Sequence, residues 1–397
     1  MVCVHFGPGQ LGLGLIVEQL LEVGFDVCLV GRPDARPREQ KRFRLEETGV
    51  GERLPSPQVR WAKNPATFDD LPKPVAWAVR EDGPLLISAA LGDHIAEAVG
   101  LLREILDERP AGAPTLLLGC ENEFAKSYDD LESSYADLLV LRCVVDRICA
   151  WRLKKPRDSK GLRFVQFHPV GEWLVPVEGA LPEPLARLAG ASMVSLIEGS
   201  MDGWRKRKLW AVNGTHIVLA LVARLAGTDV DPPLEEEHAL AFVELATPLI
   251  EQVVRGVNHN WPEVEIDESY VYDRIRAFSE SPDSTKRLIG KYLVRGDLRP
   301  FMKRLNQRVA DAARAARSAG EDGEAFYEAM ALVVQVMRDP SLYYPDAATP
   351  SEDVDEEAVK LFDNSLDWLD DRRREDLVAG LRLALAGERR IGDPVRP

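Results

Sequence analysis

Lys208, Asn213 and His216 fall within one short stretch, Lys208-Leu-Trp-Ala-Val-Asn213-Gly-Thr-His216. On an α-helix advancing about 100° per residue they occupy an arc of roughly 140° and can face one pocket. A lysine becomes a base near neutral pH when burial and a neighbouring cation depress its pKa. A neutral carboxamide holds an oxygen that is gaining negative charge without itself losing a proton. A base and a neutral donor on one helix suit removal of the proton from a secondary hydroxyl. Leu209, Trp210, Val212, Ile217 and Leu219 would bury the rest of that helix. The run Trp204-Arg-Lys-Arg-Lys208 also fits the plainer reading of a solvated basic helix face.

A second pattern opens the chain. The apolar run Val-Cys-Val-His-Phe at residues 2–6 leads into Gly7-Pro8-Gly9-Gln10-Leu11-Gly12, a G-x-G-x-x-G spacing. In such a turn the first glycine permits the bend and the second admits a pyrophosphate to the backbone. The third lets helix and strand pack closely. The spacing alone is a weak signal and also fits a merely structural turn. Following a strand and opening a helix, it is in the context that dinucleotide binding requires. Gly7, Pro8, Gly9, Gln10, Leu11 and Gly12 are therefore the candidate cofactor contacts.

Together the two patterns suit hydride transfer between a nicotinamide and an alcohol carbon, a reaction in which a lysine can serve as the base. An enzyme that prefers NAD usually ends its second strand on Asp or Glu. This chain has Val30-Gly31-Arg32-Pro33 there, with Asp34 slightly late and Lys41 and Arg42 beyond. Arg32 suits a 2′-phosphate, so the reading is NAD or NADP with a slight lean to NADP. The competing reading puts Arg32 on the surface and Asp34 on the ribose.

The elements that must position these residues divide the chain in two. Residues 13–23 have helical apolar spacing, Gly24 ends them, and residues 27–30 read as a second strand, which completes a βαβ unit. Further buried strands are expected at 85–89, 115–118, 138–145 and 164–167, with a helix at 95–106. That alternation predicts an α/β fold with a mostly parallel, Rossmann-type sheet covered on both faces. From about Trp204 long amphipathic patterns take over, at 206–225, 236–257, 298–315, 325–336 and 366–385. The expected domains are a dinucleotide-binding domain over 1–200 and a mostly α-helical substrate-binding domain over 201–397. Residues 339–357, rich in Pro, Asp and Glu, read as a solvated loop, and 387–397 as a frayed end.

At 397 residues the chain has room for two cores. A formal net charge of −15 argues against a general nucleic-acid partner, while local Arg and Lys clusters leave an anionic small substrate open. The five cysteines are scattered, odd in number and set mostly in apolar runs, which reads as buried thiols in a reducing compartment. No Cys/His spacing suits a metal, and none is expected. Met1 leads directly into the first apolar run, and no apolar stretch reaches membrane-spanning length. The expectation is a soluble cytoplasmic protein, monomeric or weakly self-associating, with no nucleic-acid or membrane partner.

The Lys-x4-Asn-x2-His element of residues 208–216 resembles that of the polyol-specific long-chain dehydrogenases. Four further segments carry the resemblance in the right order: His5 to Gly14, Cys120-Glu121-Asn122, Val145-Asp146-Arg147-Ile148 and Glu172-Trp173-Leu174-Val175. Each is short; together they span residues 1 to about 220. The resemblance implies a metal-independent, often monomeric enzyme acting on a small polyol or sugar phosphate. It implies Lys208 as acid/base, Asn213 and Asn122 as an oxyanion-stabilising pair, and His216 on substrate hydroxyls or orienting the lysine. Asp146 and Arg147 would touch substrate, although they fit a structural ion pair as well. The family's basic segment for the substrate's far end has its counterpart in Arg274, Arg276 and Lys286. Extra residues between Arg276 and Pro282 depart from the family's spacing, and solvated basic residues are the simpler reading there.

Three other functions remain open on sequence. A hydroxyacid or 6-phosphogluconate-like dehydrogenase shares the glycine turn but has a shorter lysine–asparagine spacing. A specialised biosynthetic dehydrogenase of a cyclic or nucleoside-derived alcohol would account for the departure near Arg276. A non-catalytic dinucleotide-binding protein would need only the turn.

Overall fold

The computed structural model describes residues 1–31, 43–47, 51–54, 59–62, 67–120, 126–151, 163–225, 236–264, 266, 269–270, 273, 298–338 and 352–391. The chain divides into two compact units, Met1–Met201 and Asp202–Pro397.

The first unit is built on two sheets. Its strands in chain order are β1 (Val2–Phe6), β2 (Asp26–Val30), β3 (Phe43–Glu47), β4 (Gly51–Leu54), β5 (Val59–Ala62) and β6 (Leu85–Ala89). β7 (Thr115–Gly119), β8 (Leu138–Arg142), β9 (Val144–Trp151), β10 (Arg163–Val177) and β11 (Val194–Glu198) follow. Six of them form one sheet in the order β5-β2-β1-β6-β7-β8, every neighbouring pair parallel. The order reverses between β1 and β6. This is the doubly wound Rossmann arrangement, in which ligands bind in the crevice outside the carboxyl ends of the strands at the reversal.

Alternation along β1 explains how both faces are covered. Cys3 points into a core formed with the helix that follows the glycine turn (Leu13, Ile16, Leu20) and with Val165, Phe167 and Trp173 of β10. Val4 and Phe6 point the other way, onto Leu102 and Ile105 of the helix Ile95–Asp107. The five cysteines of the chain are all buried and unbridged, and all lie in this unit.

The second sheet was not expected. It has the order β11-β10-β3-β4, with β9 antiparallel to β10. The single strand predicted over 138–145 breaks at Cys143: β8 completes the first sheet, and β9 turns into the second.

Among the described residues the second unit has no strand and is mostly helical. Asp202–Arg207, Lys208–Gly214 and Thr215–Leu225 follow one another without a gap, the middle segment being a π-helix. A second π-helical segment, Asn306–Ala310, interrupts the predicted helix over 298–315 between Arg299–Leu305 and Asp311–Ser318. Glu236–Asn260 and Glu324–Met337 lie close to their predicted ranges. The loop expected over 339–357 is corrected in its last part, because a helix runs over Glu352–Asn364. A count of acidic residues along Glu352-Asp-Val-Asp-Glu-Glu357 reads as solvation and does not distinguish a loop from the start of a helix. The frayed end expected over 387–397 is corrected in its first part, since the helix Asp371–Ile391 carries on past residue 387; residues 392–397 lie outside the described residues. No helix among the described residues is long and apolar enough to cross a membrane.

Candidate active site

The glycine turn leaves β1 at the reversal of the sheet. Gly7 has a φ of +92°, and a Cβ there would lie 2.3 Å from the carbonyl oxygen of Ala90, just past β6. The turn is bonded to both neighbours of β1: the Gly7 N–H donates to Val30 O (3.1 Å), and the Ala90 N–H to Phe6 O (2.8 Å). The Gly9 N–H closes the bend on Gly7 O at 2.7 Å, and the helix begins at Gln10. A Cβ on Gly12 would stand 2.2 Å from Gly7 O, so only glycine lets the helix approach the turn. At Gly9 the situation is the reverse. The residue is exposed, and an added Cβ would meet nothing nearer than Gly7 O at 3.9 Å. The bare backbone of Gly9 at the start of a helix fits a pyrophosphate, whose charge the dipole and first-turn N–H groups favour. The turn thus fits a dinucleotide.

Beneath the turn is a residue that the apolar reading of β1 passed over. His5 is fully buried, with Nδ1 2.9 Å from the hydroxyl of Ser88 on β6. Burial pushes its pKa down to about 4, the Gly7 backbone opposing the shift, so the imidazole is neutral at physiological pH. The available signal was a lone histidine in a buried strand immediately before the first glycine.

In the second unit Lys208 and Asn213 both lie in the π-helical segment and are 8% and 9% exposed, so neither belongs to a solvated face. The wide turn is fixed from outside. Trp210 Nε1 donates to Gln307 O (3.2 Å), and a Cβ on Gly214 would lie 2.8 Å from Arg308 O, so one π-helical segment packs against the other. The Asn213 Nδ2 is buried without a hydrogen-bond partner among the described residues. Thr215 Oγ1 donates to Ala211 O (2.6 Å) where the α-helix resumes, and His216 is half-buried one residue further on. Aromatic rings flank the segment: Arg207 lies over Trp204 and Tyr270, each at 4.7 Å, and Trp210 meets Trp261 with ring centroids 5.8 Å apart.

Arg147, read from sequence as a substrate contact, is placed in the core of the first unit. Its side chain is 0% exposed, and its Nε donates to His168 O (2.7 Å). Its Nη1 donates to Gly14 O (2.7 Å) and pairs with Glu18 (3.0 Å), and the guanidinium stacks 3.9 Å over the Phe167 ring. A cation so engaged ties the glycine-turn helix to β10. Asp146 is buried beside it on β9. Arg32, Asn122, Arg274, Arg276 and Lys286 lie outside the described residues.

The chain resembles the polyol-specific long-chain dehydrogenases in both fold and sequence. Its fold is that of D-sorbitol dehydrogenase in its substrate-free form, with a TM-score of 0.63 at 14% identity, covering 96% of this chain and 94% of that one. The mannitol 2-dehydrogenase of Pseudomonas fluorescens, solved with NAD and D-mannitol, matches with a TM-score of 0.59 at 13% identity, over 99% and 92% of the two chains. In sequence the chain is a relative of mannitol-1-phosphate 5-dehydrogenases. That of Exiguobacterium sibiricum is 26% identical over 246 residues, 58% of this chain and 59% of the relative. The matched stretch thus spans about three-fifths of that relative's length. No protein-family profile matches the chain.

Proposed function

We propose that this protein is an NAD- or NADP-dependent dehydrogenase that interconverts a secondary alcohol of a polyol or sugar-alcohol phosphate with the corresponding ketone. The observation that carries the reading is the segment Lys208–Gly214, which sets a buried lysine and a buried carboxamide with an open donor in one π-wound stretch. The likeness to mannitol-1-phosphate 5-dehydrogenases supports the substrate class.

In this reading the first unit holds the dinucleotide on Gly7 to Gly12, and the second holds the substrate. A bound nicotinamide supplies the acceptor for the hydride. Lys208 takes the proton of the reacting hydroxyl and returns it in the reverse direction. Asn213 directs its Nδ2–H at the oxygen as charge builds there, with the Asn122 carboxamide as the second donor. A donor held in place beforehand, with no competing partner, does not need to reorganise during the reaction, which is where such groups are most effective. His216 binds neighbouring hydroxyls or orients the lysine. Arg274, Arg276 and Lys286 would receive the far end of the substrate, and Arg32 a 2′-phosphate. Asp146 stays in the substrate set, whereas Arg147 leaves it because its guanidinium is engaged by Gly14, Glu18 and His168.

The test is a nicotinamide-absorbance screen of NAD and NADP against free and phosphorylated polyols, with hydroxyacids alongside. Turnover of a polyol or its phosphate is the expected result. Turnover confined to hydroxyacids, or dinucleotide binding without turnover of any alcohol, would overturn the proposal.

A further inference from the structure

Three atoms from separate places meet beneath the glycine turn. A Cβ added to Gly12 would lie 2.7 Å from His5 Nε2 and 2.2 Å from Gly7 O, so the imidazole edge, the carbonyl of the first glycine and the bare Cα of the third converge on one point. The ring cannot rotate away from it. Its other nitrogen is held by Ser88 Oγ at 2.9 Å, and Ser88 in turn lies 3.6 Å from Cys3 Sγ on the same face of the sheet. The residue is fully buried, and Nε2 has no hydrogen bond of good geometry among the described residues. The Gly7 carbonyl nearby is already the acceptor for the Gly9 N–H.

We infer that His5 is a positioning residue for dinucleotide binding: anchored through Nδ1 on Ser88, it presents its Nε2 edge to the Gly7 carbonyl and so sets the shape of the turn on which the pyrophosphate rests. The role rests on the reading of this turn as a cofactor site and extends it to a residue that touches no cofactor. The two ring nitrogens have separate tasks. Nδ1 accepts from the Ser88 hydroxyl, which leaves the proton on Nε2, and that proton faces the second lone pair of a carbonyl whose direction decides where Gly9 stands. The ring acts in its neutral form, in which Nδ1 keeps a lone pair for the Ser88 hydroxyl. Burial keeps it neutral across the physiological range. The arrangement also gives Gly12 a second reason to lack a side chain, because any Cβ there would displace the imidazole as well as the carbonyl.

Two isosteric halves of the ring separate positioning from filling. In His5→Gln the amide nitrogen falls near Nε2 and keeps the donor toward the turn; in His5→Asn it falls near Nδ1 and keeps only the Ser88 contact. Dinucleotide affinity is measured directly, by quenching of protein fluorescence with NADH and NADPH in the absence of substrate, and each variant is melted to confirm that it is folded. His5→Asn is expected to weaken dinucleotide binding about tenfold, because the turn loses the Nε2 edge that shapes it, with His5→Gln within about threefold of the parent. Equal affinity in the parent and both variants would overturn the positioning role. So would an equal loss in both, which marks the ring as mere filling. If neither folds, Ser88→Ala serves in their place: it frees Nδ1 without altering the core volume, and unchanged affinity in that variant also overturns the role. A parent that binds neither NADH nor NADPH would instead remove the cofactor reading on which the inference stands.

Discussion

Lys208 and Asn213 stand at positions i and i+5 of a helix whose own hydrogen bonds run from i to i+5. In an α-helix five residues make about 1.4 turns and would set the two side chains well apart around the axis. In the π-helical segment the same five residues make little more than one turn. The Lys-x4-Asn spacing is therefore matched to the winding that is found. The wide turn is held by Trp210 on the Gln307 carbonyl and by the close approach of Gly214 to Arg308.

The first prediction concerns the base. Lys208→Ala should lower kcat by about 10²- to 10⁴-fold, the range for loss of a general acid–base group, and leave dinucleotide affinity unchanged. Steady-state rates and a fluorescence titration check the two halves. Near-parental turnover would take Lys208 out of the role.

Asn213 should behave unlike an ordinary buried polar residue. Its Nδ2 has no partner to lose among the described residues, so Asn213→Ala is expected to melt within a few degrees of the parent. Removing the donor should still lower kcat by about 10²- to 10³-fold. A large fall in melting temperature with normal kcat would assign the residue to structure instead.

The glycines of the turn should separate stability from binding. Gly12→Ala places a methyl 2.2 Å from a backbone oxygen and should destabilise the first unit, by about 1–3 kcal/mol for overpacking of this kind. At Gly9 there is room for a methyl, so Gly9→Ala should fold normally and lose dinucleotide affinity, because the methyl occupies the path of approach. Chemical denaturation alongside ligand titration would show whether the two effects part in this way.

Much of this was legible in the chain itself, and the parts that were not have physical reasons. The first strand, the glycine turn and β6 and β7 could be read because fully buried parallel strands are short unbroken apolar runs. β3 and β4, Phe-Arg-Leu-Glu-Glu and Gly-Glu-Arg-Leu, carry too much charge for that test, and Pro169 interrupts the pattern of β10. The second sheet therefore went unread. π winding is invisible to a search at 3.6 residues per turn, so Lys208 and Asn213 were placed on one helix with the wrong angle between them. Arg147 matched a family segment by type and order, but a sequence does not show whether a guanidinium faces a pocket or Glu18.

Arg147 supplies a stability prediction. Arg147→Met leaves the Glu18 carboxylate buried without its cation and should cost about 3–5 kcal/mol, while joint replacement with Glu18→Leu should recover much of that loss. Urea denaturation of the single and double variants measures the coupling. A double variant as unstable as the single would show that no pairing energy is involved.

The depressed pKa of His5 fixes the sign of one pH effect. Unfolded, the imidazole titrates near its ordinary value of about 6.5; folded, it does so at about 4. Between those limits the unfolded chain binds a proton that the folded chain does not, so stability falls as pH drops from about 6.5 to about 4. The contribution is on the order of 3 kcal/mol across the whole window. His5→Asn should flatten this acid limb in melts taken at successive pH values, and an unchanged slope would count against the buried neutral ring.

The placement of the cysteines gives the two halves of the molecule different chemical visibility. Every thiol is sealed in the first unit, and the second carries none. An alkylating reagent added to the native protein therefore keeps time only for openings of the dinucleotide-type half, and the helical half can breathe or unfold without being marked. Protection from alkylation on adding NADH would accordingly report tightening around the sheet, free of any signal from the helices.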